Sequence, residues 1–249
     1  MTPELDQCVF DWIRTGRDET RWPAPVVSNL VPPIFESYAK LLHSIHPHYE
    51  FIDHPLSEPE RAILKIPSCE PLRSFVEDRR LDSAGARIRW KQLAELLDVP
   101  FAPAIKHEWY RKKLKDPWCW PKLLYGPNDG WLSDEECQSL VSILKSVTNP
   151  EECFFRFSDI PFYAPVNSGR PQLFRGGLEQ ACAFQKEKQL SFEYWWPANK
   201  SWCICSDYDL EFTIVAGGRT LVSKLVQDDI LECIEVTPQT RVDSFAPMP

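Results

Sequence analysis

Histidine is concentrated in one short segment of this sequence. Four of the five histidines, His43, His46, His48 and His54, lie within twelve residues, and Asp53 precedes the last of them. Imidazole nitrogens and carboxylates are ligands that zinc and related metals prefer, and three of them with a water form a catalytic centre. The spacing differs from His-Glu-x-x-His, and the proline between His46 and His48 predicts a loop. His43, His46 and His48 are candidate metal ligands, but ordinary surface or capping histidines explain the pattern better, and we expect no cofactor.

Carboxylates alternate in the C-terminal half. Asp207, Asp209 and Glu211 are two residues apart, and Glu193 lies on the predicted neighbouring strand. On one straight strand they share a face, where like charges disfavour each other unless a cation or a shifted pKa relieves them. Three interpretations stay open: a solvated sheet face or Asx-type turn, an acidic docking face for a basic protein, and a carboxylate site for a metal or acid–base catalysis.

Tryptophans flank the predicted hairpin loop at residues 197–201. Trp195 and Trp196 precede this loop and Trp202 follows it, with Arg175 expected nearby. Adjacent strand residues point to opposite faces, so one member of the adjacent pair is expected to face outward. An outward tryptophan beside polar groups forms a ligand platform or an interface hot spot. The predicted binding residues are Trp195, Trp202, Asp207, Asp209, Glu211 and Arg175.

The nine cysteines are an odd number without the spacing of a disulfide scaffold. Cys203 and Cys205 would place their sulfurs on one side of a strand, away from any helix N-terminus that lowers a thiol pKa, so buried free cysteines are expected. The first residues show no cationic start followed by an apolar segment, and no run approaches the ~20 apolar residues of a membrane span. Reduced thiols and a cytoplasmic location are the prediction.

The charge balance argues against a nucleic-acid partner. Lysine and arginine total 28 against 36 acidic residues, a formal net charge of -8, whereas nucleic-acid binders carry a cationic footprint. The basic run at residues 111–115 is typical of a helix C-terminus. We find no dinucleotide, phosphate-loop, nucleophile-elbow or zinc-protease motif. A basic protein partner is expected, with no nucleic acid and no membrane.

The pattern of apolar residues changes near residue 117. Before it, helical spacing at residues 5–13, 34–42, 90–97 and 104–115, interrupted by prolines, predicts a Pro-rich, mainly helical region at residues 1–117. After it, a capping box of Ser133 and Glu136 begins a helix, and short alternating segments follow. Residues 118–249 therefore predict an α+β region with an antiparallel sheet and helices packed on one face. The two regions form separate domains or pack as one.

Several short motifs occur together: Pro33-Ile34-Phe35, Tyr38-Ala39-Lys40-Leu41-Leu42-His43, Arg89-Trp90, Leu173-Phe174-Arg175-Gly176, Trp195-Trp196-Pro197, Trp202-Cys203 with Asp207 and Asp209, Gly217-Gly218 and Leu231-Glu232. This set resembles a widespread family of uncharacterised bacterial proteins, from about residue 31 to the C-terminal end. The resemblance implies one co-occurring unit and brings no activity or catalytic residue with it. Where many such proteins have Trp-Asp-Gly-Tyr-Gly, this chain has Phe157-Ser158-Asp159-Ile160-Pro161.

Together these patterns predict a cytoplasmic α+β binding protein that acts by protein–protein recognition. An immunity-type or regulatory module, with an acidic sheet face and an exposed tryptophan, is the specific hypothesis. The alternative is a hydrolase-like enzyme that uses the clustered carboxylates or the histidine-rich segment as a metal site. A purely structural module is a third interpretation.

Overall fold

The structure is a computed structural model that describes residues 1–4, 6–18, 24–47, 67–68, 87–113, 120–121, 124–148, 152–157, 173–188 and 191–249. Among these residues, the helices are α1 (Asp11–Gly16), α2 (Val27–Leu30), α3 (Trp90–Leu97), α4 (His107–Lys113), α5 (Asp134–Thr148), α6 (Ala181–Lys188) and α7 (Arg219–Val226). Short 3-10 turns at Gln7–Phe10 and Leu178–Gln180 precede α1 and α6.

The strands are β1 (Thr2–Pro3), β2 (Ser37–Leu42), β3 (His46–Pro47), β4 (Pro67–Ser68), β5 (Trp120–Pro121), β6 (Leu124–Tyr125), β7 (Cys153–Phe157), β8 (Leu173–Gly176), β9 (Phe192–Pro197), β10 (Cys203–Cys205), β11 (Phe212–Gly217) and β12 (Glu232–Val236). Eight of them form one antiparallel sheet in the order β1-β8-β7-β9-β10-β11-β2-β12. Strands from both sides of residue 117 therefore share this sheet.

The sheet is covered on both faces. One face packs with α1 to α4 around Trp90, Trp109, Tyr194 and Trp196. The other face packs with α5, α6 and α7 around Trp195 and other apolar side chains. The α+β class with a large antiparallel sheet is confirmed, but the expectation of helices on one face is wrong, because the N-terminal helices cover the second face.

Both adjacent tryptophans are consequently buried. Trp195 is 0% exposed and Trp196 is 1% exposed, although their side chains point to opposite faces of β9. The expectation that one of them faces solvent is wrong, because each face of the sheet has its own apolar layer. Trp202 is also fully buried, and its Nε1 donates a hydrogen bond to Thr148 Oγ1 at 3.0 Å.

A mainly helical N-terminal region is not supported. The apolar residues at 38, 41 and 42 predict a helix, but they belong to β2, which pairs with β11 on one side and with β12 on the other. All six residues of β2 are buried. A strand whose two sides are both buried lacks alternation of polar and apolar residues, so spacing alone indicates the wrong element.

Local signals in the C-terminal half are confirmed. The Ser133 N–H donates to Glu136 Oε2 at 2.9 Å and the Glu136 N–H donates to Ser133 Oγ at 3.2 Å, which is the predicted capping box at the start of α5. The predicted hairpin at residues 197–201 joins β9 to β10, and Lys200 adopts a positive φ of 57° in it. Among the described residues, no helix combines the length and apolar character needed to cross a membrane.

The cysteines differ from one another in chemical state. Cys153, Cys203 and Cys205 are buried thiols, which confirms the interpretation of Cys203-x-Cys205 as buried free cysteines, and burial raises the pKa of each. Cys137 on α5 and Cys182 on α6 form a disulfide. The prediction of reduced thiols is wrong for this pair, because the packing of α5 against α6 brings together two sulfurs whose residues are 45 positions apart in sequence.

The two covered faces lead to a stability test. Trp195→Ala and Trp196→Ala should each lower the free energy of unfolding by about 3–5 kcal/mol, since each removes a large side chain from a filled core. Phe245→Ala is the control, because Phe245 is 81% exposed and its loss should cost less than about 0.5 kcal/mol. Chemical denaturation measures all three variants. A near-neutral effect of either tryptophan substitution would contradict the two-layer packing.

Candidate functional site

The alternating carboxylates lie in a turn between β10 and β11. The Asp209 N–H donates to Asp207 Oδ1 at 3.0 Å, and the Leu210 N–H donates to the Asp207 carbonyl oxygen at 3.0 Å. These bonds define an Asx-type turn, in which the side-chain oxygen takes the place of a backbone acceptor. The three carboxylates therefore do not share one face of a straight strand, and the chain turns so that Glu211 points into the protein.

Glu211 binds the N-terminus of α4. Its Oε1 accepts the backbone N–H of His107 at 2.8 Å, and its Oε2 accepts a close hydrogen bond from His107 Nδ1. The side chain is only 6% exposed. A carboxylate at this position satisfies an unpaired helical N–H and interacts favourably with the helix dipole, so one buried charge both starts α4 and fixes the imidazole.

Glu108 completes a cluster of three side chains. Its Oε1 lies 3.6 Å from His107 Nε2, on the opposite side of the ring from Glu211. We call His107, Glu108 and Glu211 the His107 cluster; one ligand atom from each lies within 4.8 Å of those of the other two. The side chains of His107 and Glu108 are 19% and 25% exposed, so the cluster lies at the surface with Glu211 beneath it.

Lys40 balances the buried charge of Glu211. This lysine belongs to β2, is 1% exposed, and donates a hydrogen bond from Nζ to the carbonyl oxygen of Ile105. Its ammonium lies 4.1 Å from the ring centroid of Phe212, a cation–π contact. Burial lowers the pKa of Lys40 to about 8, and the charge of Glu211 opposes this shift.

The pKa values in the pair shift in opposite directions. Burial disfavours the charged imidazole, but the Glu211 carboxylate outweighs burial and, with Glu108, raises the pKa of His107. Burial likewise disfavours the charged form of Glu211, but the His107 charge and hydrogen bonds lower its pKa below the ordinary value. Imidazolium and carboxylate therefore stabilise each other.

Further carboxylates surround the cluster. The Gly130 N–H donates to the Leu210 carbonyl oxygen at 2.7 Å, which places Asp129 beside the Asp207–Asp209 turn. Gly130 has a φ of 64°, and a Cβ there would lie 2.6 Å from the Cα of Tyr208, so this close approach requires glycine. We call Asp129, Asp207 and Asp209 the acidic rim. Tyr208, at its centre, is 44% exposed.

The rim carries an excess of negative charge. Loss of solvent, followed by the charge of Glu211 and then those of Asp209 and Glu108, raises the pKa of Asp129 to about 6, although His107 acts in the other direction. Partial burial and the charge of Asp209 also raise the pKa of Asp207, although the hydrogen bond from the Asp209 N–H and the charge of Arg17 act in the other direction. Since like charges resist ionisation of their neighbours, a cation at this rim would relieve them.

The other predicted binding residues lie elsewhere. Trp195 and Trp202 are in the core on the face covered by α5 and α7. Arg175 is on β8 near the sheet edge, with its side chain 52% exposed, and its guanidinium lies 3.6 Å from Glu4 and 4.0 Å from Glu152. Of the six predicted residues, the structure thus brings together Asp207, Asp209 and Glu211.

The clustered histidines do not converge on a metal site in the described part of the chain. The Nδ1 of His43 donates to the Asn128 carbonyl oxygen at 2.5 Å, and its Nε2 accepts from Thr213 Oγ1 at 2.9 Å, so both ring nitrogens are engaged. His46 is buried on β3. His48, with Asp53 and His54, lies outside the described residues.

Sequence reasoning missed His107, Lys40 and Asp129. His107 stands apart from the other four histidines and directly precedes a glutamate, which is a weak local signal. Lys40 interrupts an otherwise apolar run in β2, and a charge inside such a run indicates a buried partner. Neither signal identifies Glu211 as that partner, because Glu211 is 104 residues from His107 in the sequence.

Comparisons with known proteins add no assignment. No protein-family model, curated protein or solved structure matches this chain.

The role of Glu211 leads to a stability prediction. Glu211→Gln should lower the free energy of unfolding by about 3 kcal/mol, because it leaves the buried Lys40 without its counter-charge and removes the carboxylate that binds the His107 ring and the start of α4. Glu108→Gln, which alters the exposed side of the same imidazole, should cost less than about 1 kcal/mol. Urea denaturation at pH 7 compares the two variants. Equal losses would show that the Glu211 charge has no special structural role.

His46 leads to a prediction about acid stability. Burial lowers its pKa from the ordinary 6.5 to about 4, so the folded protein favours the neutral ring. The unfolded chain gains a proton as the pH falls below about 6.5, and the stability present above that pH is lost progressively toward pH 4. Relative to His46→Gln, the wild type should lose roughly 2 kcal/mol between pH 7.5 and pH 5. Parallel stability curves for the two proteins would contradict this assignment.

Proposed function

We propose that this protein recognises a basic protein partner through the acidic rim. The observation that carries the proposal is the grouping of Asp129, Asp207 and Asp209 at one turn. Burial first, and then the charges of Glu211, Asp209 and Glu108, raise the pKa of Asp129 to about 6 despite the nearby His107.

Two cations act on the rim carboxylates, and each already has another partner. His107 acts on Asp129 and is bound to Glu211. Arg17 acts on Asp207 and donates a hydrogen bond to the Tyr194 hydroxyl at 2.6 Å. Lysine or arginine side chains of a partner would supply further counter-charge to the rim.

The geometry of the rim suits an interface. Tyr208 projects between the two aspartates of the turn, and an exposed tyrosine is a common interface anchor because its ring adds apolar contact and its hydroxyl adds a hydrogen bond. The turn is fixed by the bonds at Asp207 and by the close packing of Gly130. A fixed turn loses little conformational entropy when a partner binds, which favours recognition.

The net charge of -8 supports the same proposal. A strongly acidic protein attracts a basic partner over a distance and raises the rate of encounter, and salt weakens this attraction. An immunity-type protein that neutralises a basic toxin, or a regulatory module that sequesters a basic protein, is the form of recognition that we propose.

A hydrolase-like enzyme is the second candidate, and one observation favours it. An imidazole held by a buried carboxylate, as in the His107–Glu211 pair, recurs in catalytic sites. The Glu211 carboxylate, with Glu108, raises the pKa of His107 despite burial, which favours the protonated ring that a general acid needs. An enzyme of this kind should hydrolyse a substrate, and His107→Gln, which leaves the aspartates of the rim unchanged, should abolish that hydrolysis.

The recognition proposal is tested by matched charge variants. Asp207→Asn with Asp209→Asn removes two rim charges and keeps the turn, because an asparagine side-chain oxygen accepts the same backbone N–H. Glu95→Gln with Glu235→Gln removes two exposed charges elsewhere. Partner capture from native lysate with cross-linking, quantified for each protein, should fall at least about tenfold for the rim variant only.

Two controls complete this experiment. Captured partners should have a basic isoelectric point, and their capture should weaken as salt is raised. Equal capture by the rim variant and the control variant would place the interface elsewhere, and no captured basic protein in either case would reject the proposal.

A further inference from the structure

The separation of two atoms in the His107 cluster matches a metal site. His107 Nε2 and Glu108 Oε1 are 3.6 Å apart. Zinc binds imidazole nitrogen and carboxylate oxygen at about 2.0–2.2 Å in tetrahedral geometry, which places two such ligands about 3.3–3.5 Å apart. The atoms therefore lie within a few tenths of an ångström of the positions that one shared ion would require.

Glu211 orients the imidazole as a metal ligand needs to be oriented. Metal-binding histidines usually donate their second ring N–H to a carboxylate, which fixes the tautomer and the ring plane. Here the Nδ1–H of His107 donates to Glu211 Oε2, and the His107 backbone N–H holds the other oxygen of the same carboxylate at 2.8 Å. This arrangement turns Nε2 toward Glu108.

The surroundings allow a cation to enter. Glu211 is buried, whereas the side chains of His107 and Glu108 are partly exposed, so solvent reaches the coordinating side of the cluster. Asp129 lies close enough to these groups for their charges to shift its pKa, and it adds negative charge beside the site. Two protein ligands leave positions for water or a further ligand, as in open metal sites.

We propose that the His107 cluster binds one divalent transition-metal ion, zinc above all, through His107 Nε2 and a carboxylate oxygen of Glu108, with Glu211 as the positioning residue. A donor set of imidazole and carboxylate suits zinc, whereas magnesium prefers oxygen ligands alone. The inference goes beyond recognition of a basic protein, which needs no metal.

Zinc titration of this chain, in competition with a chromophoric chelator, tests the proposal. The wild type should bind one zinc ion per chain, and Mg²⁺ should not displace it. Glu108→Gln and His107→Gln should each raise the Kd for zinc at least about tenfold. His46→Gln is the matched control, because His46 is a buried histidine outside the cluster, and it should keep the wild-type Kd.

The same variants distinguish the His107 cluster from other possible zinc ligands in the chain. If zinc bound to cysteine thiols or to the histidines near residue 48, Glu108→Gln and His107→Gln would leave the Kd unchanged, and this result would overturn the proposal. Absence of stoichiometric zinc in the wild type would also overturn it. Glu108→Gln replaces a partly exposed side chain, so its circular dichroism spectrum should match that of the wild type. A loss of zinc affinity in this folded variant then results from the loss of the Glu108 carboxylate as a ligand.

The zinc measurement is independent of the recognition proposal. Asp207→Asn with Asp209→Asn should change the zinc Kd by less than about threefold, because neither aspartate is a proposed ligand and surface charges interact weakly through solvent. Loss of partner capture with retained zinc binding, or the reverse, would therefore show which of the two proposals fails.

Discussion

Burial of the central sheet on both faces is the constraint on which the rest of the structure depends. Helices α1 to α4 cover one face and α5 to α7 cover the other, so side chains on both sides of each central strand leave water. A polar group in such a position must find a partner within the protein. The carbonyl oxygen of Ile105 accepts a hydrogen bond from Lys40, and the hydroxyl of Thr213 is hydrogen-bonded to both His43 and Ser206. The polar contacts near the candidate site follow from this requirement.

Carboxylates from the sheet also fix the helices that cover it. Glu211, just before β11, accepts the first N–H of α4, and Glu232 on β12 accepts the N–H groups of Trp90 and Lys91 at the start of α3, at 2.7 and 2.8 Å. Each carboxylate belongs to the C-terminal half and each helix to the N-terminal half. Helix starts of this kind depend on charges far away in sequence, and they tie the two halves of the chain together.

The candidate site lies at the protein surface, at a point where a buried polar group needs a partner and a sheet carboxylate binds the start of a helix. Glu211 is bound by His107 and interacts electrostatically with the buried Lys40. Asp129 and Asp209 are exposed, and Glu108 and Asp207 are partly exposed. The buried carboxylate faces two basic groups, whereas the exposed carboxylates carry negative charge. A negative surface of this kind attracts cations. An imidazole beside a carboxylate suits a transition-metal ion, whereas the aspartates of the acidic rim suit the basic side chains of a partner.

The sequence by itself determined the elements that depend on neighbouring residues. The capping box at Ser133 and Glu136, the hairpin between β9 and β10, and the antiparallel strands of the C-terminal half follow from local spacing and turn residues, which act within a few positions. It also indicated Asp207, Asp209 and Glu211 as a group. Only the tertiary structure decided that β2 is a strand, that both tryptophans of the adjacent pair are buried, and that His107 meets Glu211. These features arise from contacts between segments that are distant in sequence. The local spacing of apolar residues indicates neither which elements pack on a strand nor which charged side chains pair.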